Sequence, residues 1–503
     1  MPFKLFKKIK RLSIKNPKLI DIFFVQKQKS NRQTMPIAML ILFLLGYLFI
    51  ALEHTLHINK TAISLLLGIT LWTLYIFAPP TTITQNTPEA FQEFITTHPE
   101  LSQLPLQEQA KHYVTDLKII QHLGSIAEIL FYLLGAIIVV ETVDKYHGFD
   151  IITRKITTQS KRKLLWITSL TTFFMSSILD NMTSVIIMTL VIQKLITLPK
   201  ERWLFCSMVI IAANAGGAWT PIGDVTTIML WVNDNISSGN IMKSIFFPSL
   251  ISLFIPLILT SLSLKGEQIP SEKTSSLPSS LDIPIKNNIL IIGLFCLLAV
   301  PIFKTITALP PFAGIMLMLG IFWIYTDWIT THASRHSQTL ITKLTAQTDL
   351  STILFFLGIL MAVTALESIG ILHFLSIWLN QQVHNIYLIN LIIGLLSAII
   401  DNVPLVAAAI GMYTIPTSSL LEQNIDSHYL LNFVQDGNFW NLLAYCAGTG
   451  GSLLIIGSAA GVVVMGLEKI NFIWYVKQIS WRALLGFLCG IGIYYLQEML
   501  LFL

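Results

Sequence analysis

Two Asp-Asn pairs, Asp180-Asn181 and Asp401-Asn402, stand inside long apolar stretches of this 503-residue sequence. Asp offers a hard anionic oxygen and Asn a neutral amide oxygen, and such oxygens suit small hard cations, here Na⁺ or Li⁺. A carboxylate held away from water without a permanent counter-ion also takes up a proton readily. Because a proton and a metal cation would compete for the same oxygens, the pairs predict cation/proton exchange. The alternative is that these residues only cap helices at a turn.

A second candidate site is the segment from Asn214 to Asp224, which reads Asn-Ala-Gly-Gly-Ala-Trp-Thr-Pro-Ile-Gly-Asp. Three glycines and a proline are expected to unwind a helix here and to bring bare backbone near a ligand. Asp224 follows the break, so it is either a binding group or the N-cap of the next half-helix. The matching position later in the chain is Ser458, so the earlier copy carries the extra acid.

Further acids lie inside predicted membrane spans. Glu128 lies one turn inside its span, where ionisable groups are costly and often functional; the alternative is a tolerated side chain that reaches the interface. Glu141, Asp144 and Glu367 lie near span ends, where solvated acids are common. Glu128 is therefore the candidate kept from this group.

The composition places these residues in a membrane protein. Hydrophobic residues make up 54% of the chain and charged residues 12%, against about 25% charged in soluble domains. A bilayer span needs about 20 mostly apolar residues. Blocks near that length lie at about 35–52, 60–78, 122–144, 243–264, 287–303, 310–328, 351–369 and 480–502. Two further apolar regions, about 164–232 and 385–466, are interrupted, and non-helical backbone at membrane depth indicates a site lined by protein.

Three landmarks recur in one order, so the chain is predicted to contain two repeats. The pattern Ser-x-Ile-x-Asp-Asn begins at Ser176 and again at Ser397. Ile-Leu-Phe occurs upstream at 129–131 and 353–355, and Gly-Gly occurs downstream at 216–217 and 450–451. Paired interrupted segments in two halves point to a transporter's central site.

The predicted organisation is an all-α polytopic membrane protein with two inverted repeats, each with a re-entrant hairpin and an interrupted helix. The predicted parts are a basic tail at 1–34, a first half at 35–264 (hairpin about 164–197, broken helix about 203–232), a linker at 265–286, and a second half at 287–503 (hairpin about 385–415, broken helix about 437–466).

Charge indicates that the halves are inverted. Lys and Arg are frequent after the 122–144 span but absent from 370–386, the counterpart in the second half. Basic loops favour the cytoplasm, so these two connections are expected on opposite sides. The tail carries ten Lys and Arg against one Asp. Three predicted spans separate it from residue 145, and an odd number cannot leave both ends inside, so its orientation stays open.

Several other classes are disfavoured. The four cysteines show no metal spacing, and no nucleophile–base pair indicates an enzyme. The net charge of +5 comes largely from the N-terminus, which is a poor basis for nucleic-acid binding. The expected partners are the lipid bilayer and the transported ions, with no cofactor. The expected location is the inner (cytoplasmic) membrane.

At these residues the sequence resembles the NhaD-type sodium/proton antiporters, a branch of the ion transporter superfamily. The likeness is most specific at 127–136 (Ala-Glu-Ile-Leu-Phe-Tyr-Leu-Leu-Gly-Ala), 179–183 (Leu-Asp-Asn-Met-Thr), 213–227 and 397–404. It implies re-entrant hairpins, inverted repeats, a homodimer, and alkali-cation efflux driven by proton entry. It also implies functional roles for Glu128, Asp180, Asn181, Asn214, Asp224, Thr226, Ser397 and Asn402.

More distant relatives of this kind carry dicarboxylates or arsenite. Dicarboxylate carriers have Ser-Asn-Thr at the hairpin turns, where this chain has Asp-Asn, and a bare Asp would repel an anion. Arsenite permeases carry an acid beside Asn, so an arsenite or anion permease is the alternative function.

Overall fold

The computed structural model describes residues 35–50, 58–146, 148–149, 158, 160–196, 198–264, 283–333, 350–416 and 427–501. The predicted tail at 1–34 and most of the predicted linker, residues 265–282, lie outside these ranges.

Helices joined by short turns make up the described chain. Up to residue 264 they are α1 (Met35–Ile50), α2 (Lys60–Ile76), α3 (Pro80–Asn86), α4 (Pro88–Thr97), α5 (Leu106–His112), α6 (Ile119–Lys145), α7 (Lys161–Leu179), α8 (Asn181–Leu195), α9 (Pro199–Ala218), α10 (Val225–Val232) and α11 (Ser238–Ser263). After residue 282 they are α12 (Ile283–Thr307), α13 (Pro311–Ala333), α14 (Leu350–Ser368), α15 (Ile371–Gln382), α16 (Ile386–Ser397), α17 (Asn402–Met412), α18 (Ser427–Leu430), α19 (Asn438–Gly450), α20 (Ala459–Glu468), α21 (Phe472–Tyr475) and α22 (Trp481–Leu501).

Each of the eight predicted spans is a helix in the structure. Six stretches of the described chain are long and apolar enough to cross a bilayer, and α1 and α2 are shorter apolar helices. The chain is therefore an all-α, multi-pass membrane protein. One boundary differs from the prediction: the third span was expected to begin at residue 122, but a π-helical turn, Tyr113–Lys118, joins α5 to α6. The polar residues after Pro105 thus continue the span helix instead of forming a separate loop.

The chain divides into two compact units. The first unit comprises residues 1–126 and 354–375. Within it the indole of Trp72 on α2 donates to the carbonyl of Met361 on α14, at 2.9 Å. The Asn86 side chain likewise donates to the carbonyl of Ser368, at 3.2 Å. These bonds hold α2 and α3 against α14.

The second unit comprises residues 127–353 and 376–503 and contains both interrupted regions. Within it α7 and α8 form a helix pair that packs on α9, and α16 and α17 form a second pair beside α19. Helices α9 and α10 are separated by residues 219–224, and α19 and α20 by residues 451–458. Because apolar helices flank both interruptions, the polar groups there are removed from water.

Candidate cation site

The turn of the first helix pair consists of Asp180 alone, because α7 ends at Leu179 and α8 begins at Asn181. Asp180 has a φ of 84°, a region that residues other than Gly adopt rarely and at a cost. Its carboxylate accepts hydrogen bonds from the Thr183 backbone N–H at 2.9 Å and the Thr183 hydroxyl at 2.8 Å. Asp180 is therefore the N-cap of α8, as the capping alternative anticipated.

Asn181 points from this turn towards the first interrupted helix. Its Nδ2 donates to Oδ2 of Asp224 at 2.6 Å and to Oδ1 of Asn214 at 3.1 Å. The residue is buried, with 7% of its surface exposed. The hairpin turn and the break between α9 and α10 are thus joined by one amide.

Asp224 is both an N-cap and a meeting point of side chains. Its Oδ1 accepts from the Thr226 backbone N–H and hydroxyl, each at 2.9 Å, which caps α10. The Nδ2 of Asn402 lies 3.4 and 3.3 Å from its two carboxylate oxygens. Asp224 is only 1% exposed. The asparagines of both Asp-Asn pairs therefore converge on this one carboxylate, which a cap-only role does not require.

The second helix pair has a longer turn than the first, residues 398–401 between α16 and α17, and Asp401 has a φ of −50° where Asp180 has 84°. Asp401 occupies the position before α17, but its side chain does not cap that helix. The Ser397 hydroxyl donates to the Ala447 carbonyl at 2.7 Å, and Ser176 donates to the Ala213 carbonyl at the same distance. In each copy a serine thus ties the hairpin to the interrupted helix.

Asn214 links the carboxylate to the second interrupted helix. Its Nδ2 donates to the hydroxyls of Ser452 at 2.9 Å and Ser458 at 3.0 Å. The Ser458 hydroxyl also accepts from the Gly461 backbone N–H at 3.2 Å, so it caps α20 as Asp224 caps α10. A hydrogen-bonded chain therefore runs from Ser458 through Asn214 and Asn181 to Asp224. Sequence comparison of the copies singled out Ser458, but no signal pointed to Ser452.

The glycines before each break lie within helices and allow close packing. The unwinding predicted for 214–224 is found at residues 219–224, which contain Pro221 and Gly223, whereas Gly216 and Gly217 lie within α9 and Gly450 is the last residue of α19. A side chain at Gly216 would collide with the Phe173 backbone, and one at Gly450 with the Gly394 backbone. These glycines permit the hairpin backbone to pack against a helix that remains intact.

The predicted site residues thus separate into four groups. Asn181, Asn214, Asp224, Thr226 and Asn402 form one buried, hydrogen-bonded cluster. The carboxylates of Asp180 and Asp401 lie close enough to Asp224 to interact with it electrostatically. Glu128 is half-buried on α6, outside the cluster, and Ser397 holds the second hairpin.

This arrangement suits a small cation or a proton. Among the described residues, the hydrogen-bond donors found on the Asp224 carboxylate are amides, a hydroxyl and backbone N–H, with no Lys, Arg or His. An Asn side chain presents either its NH₂ to a carboxylate or, after half a turn about its last bond, its oxygen to a cation. The same groups can therefore serve the site with and without a bound ion.

Known proteins match the chain over most of its length. The sequence model of the citrate transporter family matches residues 47–426. Sodium/proton antiporter 2 of Arabidopsis thaliana is 40% identical, over 91% of this chain and 98% of that protein. Sodium/proton antiporter 1 of the same plant is 42% identical, over 91% of this chain and 72% of that protein. The Na(+)/H(+) antiporter NhaD of Vibrio cholerae is 28% identical, over 93% and 92%.

The chain belongs to the NhaD-type antiporter family. The part of this NhaD-type chain that matches the citrate transporter family includes Asp224 and both Asp-Asn pairs, but it ends before Ser452 and Ser458. The Arabidopsis matches cover 458 residues, so they extend over more of the chain than the family match does.

Proposed function

We propose that the chain exchanges Na⁺, or Li⁺ in its place, for H⁺ across a membrane. The observation that carries this proposal is the convergence of Asn181 and Asn402 on the buried carboxylate of Asp224. A carboxylate with neutral amide neighbours suits an alkali cation, and the same carboxylate also accepts a proton. The names of the sodium/proton antiporters that match the chain support the same assignment.

The proposed exchange rests on competition at Asp224. A proton on this carboxylate removes the negative charge that a cation needs, and a bound cation repels the proton. Asn181 and Asn402 turn their amide oxygens towards the cation, and Thr226 holds the carboxylate in place through Oδ1. Asp180 and Asp401 complete the proposed set of cation-binding residues, because their charges favour a cation nearby.

Asn214 and Ser397 act on the arrangement of the site. Asn214 accepts from Asn181 and donates to Ser458, so it holds the NH₂ group of Asn181 towards Asp224 while no cation is bound. Ser397 fixes the turn that carries Asn402. Glu128 remains a proposed proton-binding position on the strength of the family resemblance alone.

The inverted arrangement of the two halves is likewise a proposal. It is supported by the ends of the interrupted helices: Arg202 at the start of α9 contacts Glu468 at the end of α20. Asp436, just before α19, contacts Asn235, just after α10. The two interrupted helices therefore run in opposite directions. The proposed halves are 35–264 and 287–503.

The biological setting is proposed from the resemblance. We place the chain in the inner (cytoplasmic) membrane as a homodimer that contributes to pH homeostasis.

The alternative function is the carriage of an anion, which the name of the citrate transporter family favours. Three carboxylates at the site, Asp180, Asp224 and Asp401, oppose it, because they would repel an anionic substrate. Arsenite, the other alternative, is largely uncharged at neutral pH, so the three carboxylates do not argue against it. The experiment below distinguishes arsenite transport from Na⁺ exchange.

The test uses everted membrane vesicles that contain the full chain. A proton gradient is formed, and NaCl, LiCl, KCl, citrate or arsenite is then added. Exchange predicts that NaCl and LiCl dissipate the gradient. Vesicles that lack the chain are the control for leakage. If neither alkali salt has an effect at any pH at which the gradient forms, while citrate or arsenite moves, the proposed function is wrong.

A further inference from the structure

An ion pair with a buried carboxylate connects the two interrupted helices at a distance from the cation site. The Arg202 Nε lies 2.8 Å from the Glu468 Oε2, and the Glu468 side chain is fully buried. Next to it, the Trp203 indole donates to the Glu468 carbonyl at 3.0 Å. Arg202 also donates from Nη1 to the Ile196 carbonyl, at 3.3 Å. The first turn of α9 is thus attached to the last residue of α20 by side-chain and backbone contacts.

A second connection lies at the opposite ends of the same helices. Asp436 takes the repeat position that corresponds to Arg202, at the offset that separates Gly216 from Gly450. Its Oδ1 accepts from the Ser237 N–H at 2.6 Å, and its own N–H donates to the Asn235 carbonyl at 2.9 Å. Each interrupted helix therefore begins where the other one ends, and both junctions are bonded.

The ion pair and the cation site lie at different positions along the same two helices, α9 and α20. Arg202 and Asn214 lie on one helix, about 18 Å apart at 1.5 Å per residue. Ser458 and Glu468 lie at the two ends of α20, about 15 Å apart. Since Asn214 donates to Ser458, a shift of α20 along α9 would break this bond. Asn214 would then lose one of the two hydroxyls that orient it towards Asn181.

We propose that Arg202 and Glu468 are positioning residues for cation binding, a role that rests on the proposed function. Their ion pair fixes α20 against α9 and thereby keeps Asn214 bonded to Ser458, although neither residue touches the ion. The Glu468 carboxylate is fully buried and the Arg202 side chain is partly exposed; burial of a charge is costly, and replacement of such a pair by apolar residues is often neutral for stability. A positional role accounts for a charged pair at this place better than stability alone does.

The test measures the Na⁺ half-saturation and the maximal rate of exchange in everted vesicles, per amount of folded protein. Glu468→Gln keeps the shape but removes the charge, and it should raise the half-saturation roughly tenfold, within the range for residues coupled through one network. The maximal rate should stay within about twofold, because the groups that bind the ion are intact. Arg202→Lys keeps the charge and should stay near the wild-type half-saturation.

A control variant and a second variant make the result decisive. Asp234→Asn removes an ion pair with Lys304 in the same unit whose carboxylate is exposed, and it should leave both quantities unchanged. If Glu468→Gln fails to fold, the Arg202→Gln/Glu468→Gln double variant replaces it, because it leaves no unpaired charge. Wild-type half-saturation in whichever of these variants folds would overturn the positioning role. A wild type without any Na⁺ or Li⁺ response would instead refute the proposed function itself.

Discussion

The substitution Asp224→Ser separates the two roles of this residue. Ser458 occupies the matching position in the second copy and caps α20 with its hydroxyl. Ser is as good an N-cap as Asp, so Asp224→Ser should keep the start of α10. The substitution removes the carboxylate on which Asn181 and Asn402 converge. A loss of exchange in this variant therefore reports on ion binding more than on helix capping.

The expected magnitude follows from the charge that is lost. Two unit charges about 4 Å apart interact by about 4 kcal/mol at an effective dielectric constant near 20. Since about 1.4 kcal/mol is tenfold in affinity, the Na⁺ half-saturation should rise by roughly three powers of ten. The Asn402 amide also loses its charged acceptor, which costs about 1–3 kcal/mol of folding stability. The rates must therefore be normalised to folded protein.

The assay is the Na⁺ half-saturation in everted vesicles as a function of pH. In the wild type, protons compete with Na⁺, so the half-saturation should rise as the pH falls. Asp224→Ser should flatten this dependence, because a Ser hydroxyl does not titrate. Ser458→Ala is the matched control: it should weaken binding at every pH and keep the wild-type slope. An Asp224→Ser protein with the wild-type slope would refute the competition at Asp224.

Two further predictions test the hairpin and its packing. Asp180→Asn can still cap α8 and tolerates the positive φ, so the folded amount should hold while the Na⁺ half-saturation rises strongly. Near-normal exchange would make Asp180 a cap and nothing more. Gly216→Ala places a methyl group against the Phe173 backbone and should sharply reduce folded protein in the membrane. Gly239→Ala, which meets no atom within 4 Å, is its control, and equal yields of the two variants would contradict the packing argument.

Much of the fold was predictable because apolar blocks of span length are conspicuous in sequence. The eight predicted spans are helices, and the hairpin turns fall at Asp180 and just before Asn402. Local chemistry explains this success: a run of apolar residues in a bilayer has to satisfy its own backbone, and it does so as a helix. Polar residues, glycines or prolines that interrupt such an apolar run are equally easy to recognise in the sequence.

The contacts within the site were less accessible to sequence reasoning. Asp180, Asp401 and Asp224 were all predicted as cation-binding residues, yet it is Asp224 that accepts hydrogen bonds from both Asn181 and Asn402. This convergence depends on how segments 178 residues apart pack together, which local pattern does not encode. Gly216 was expected to contribute to the break in 214–224, but the break begins after Ala218 and Gly216 lies within α9. Glycine occurs both where a helix ends, because of its low helix propensity, and where two backbones pack closely. Only the tertiary structure shows that close packing is the reason at Gly216.

The two copies share a frame and differ in charge at the site itself. Ser176 and Ser397 make the same bond, and Gly216 and Gly450 meet the same part of their hairpins. At the position of Asp224, however, the second copy has Ser458. A second buried carboxylate there would add the cost of burying another charge. With Ser458 in place, the second copy supplies neutral hydrogen-bonding groups to the carboxylate of Asp224: Asn402 contacts it directly, and Ser458 reaches it through Asn214 and Asn181. The repeated frame therefore allows both halves to act on the Asp224 carboxylate.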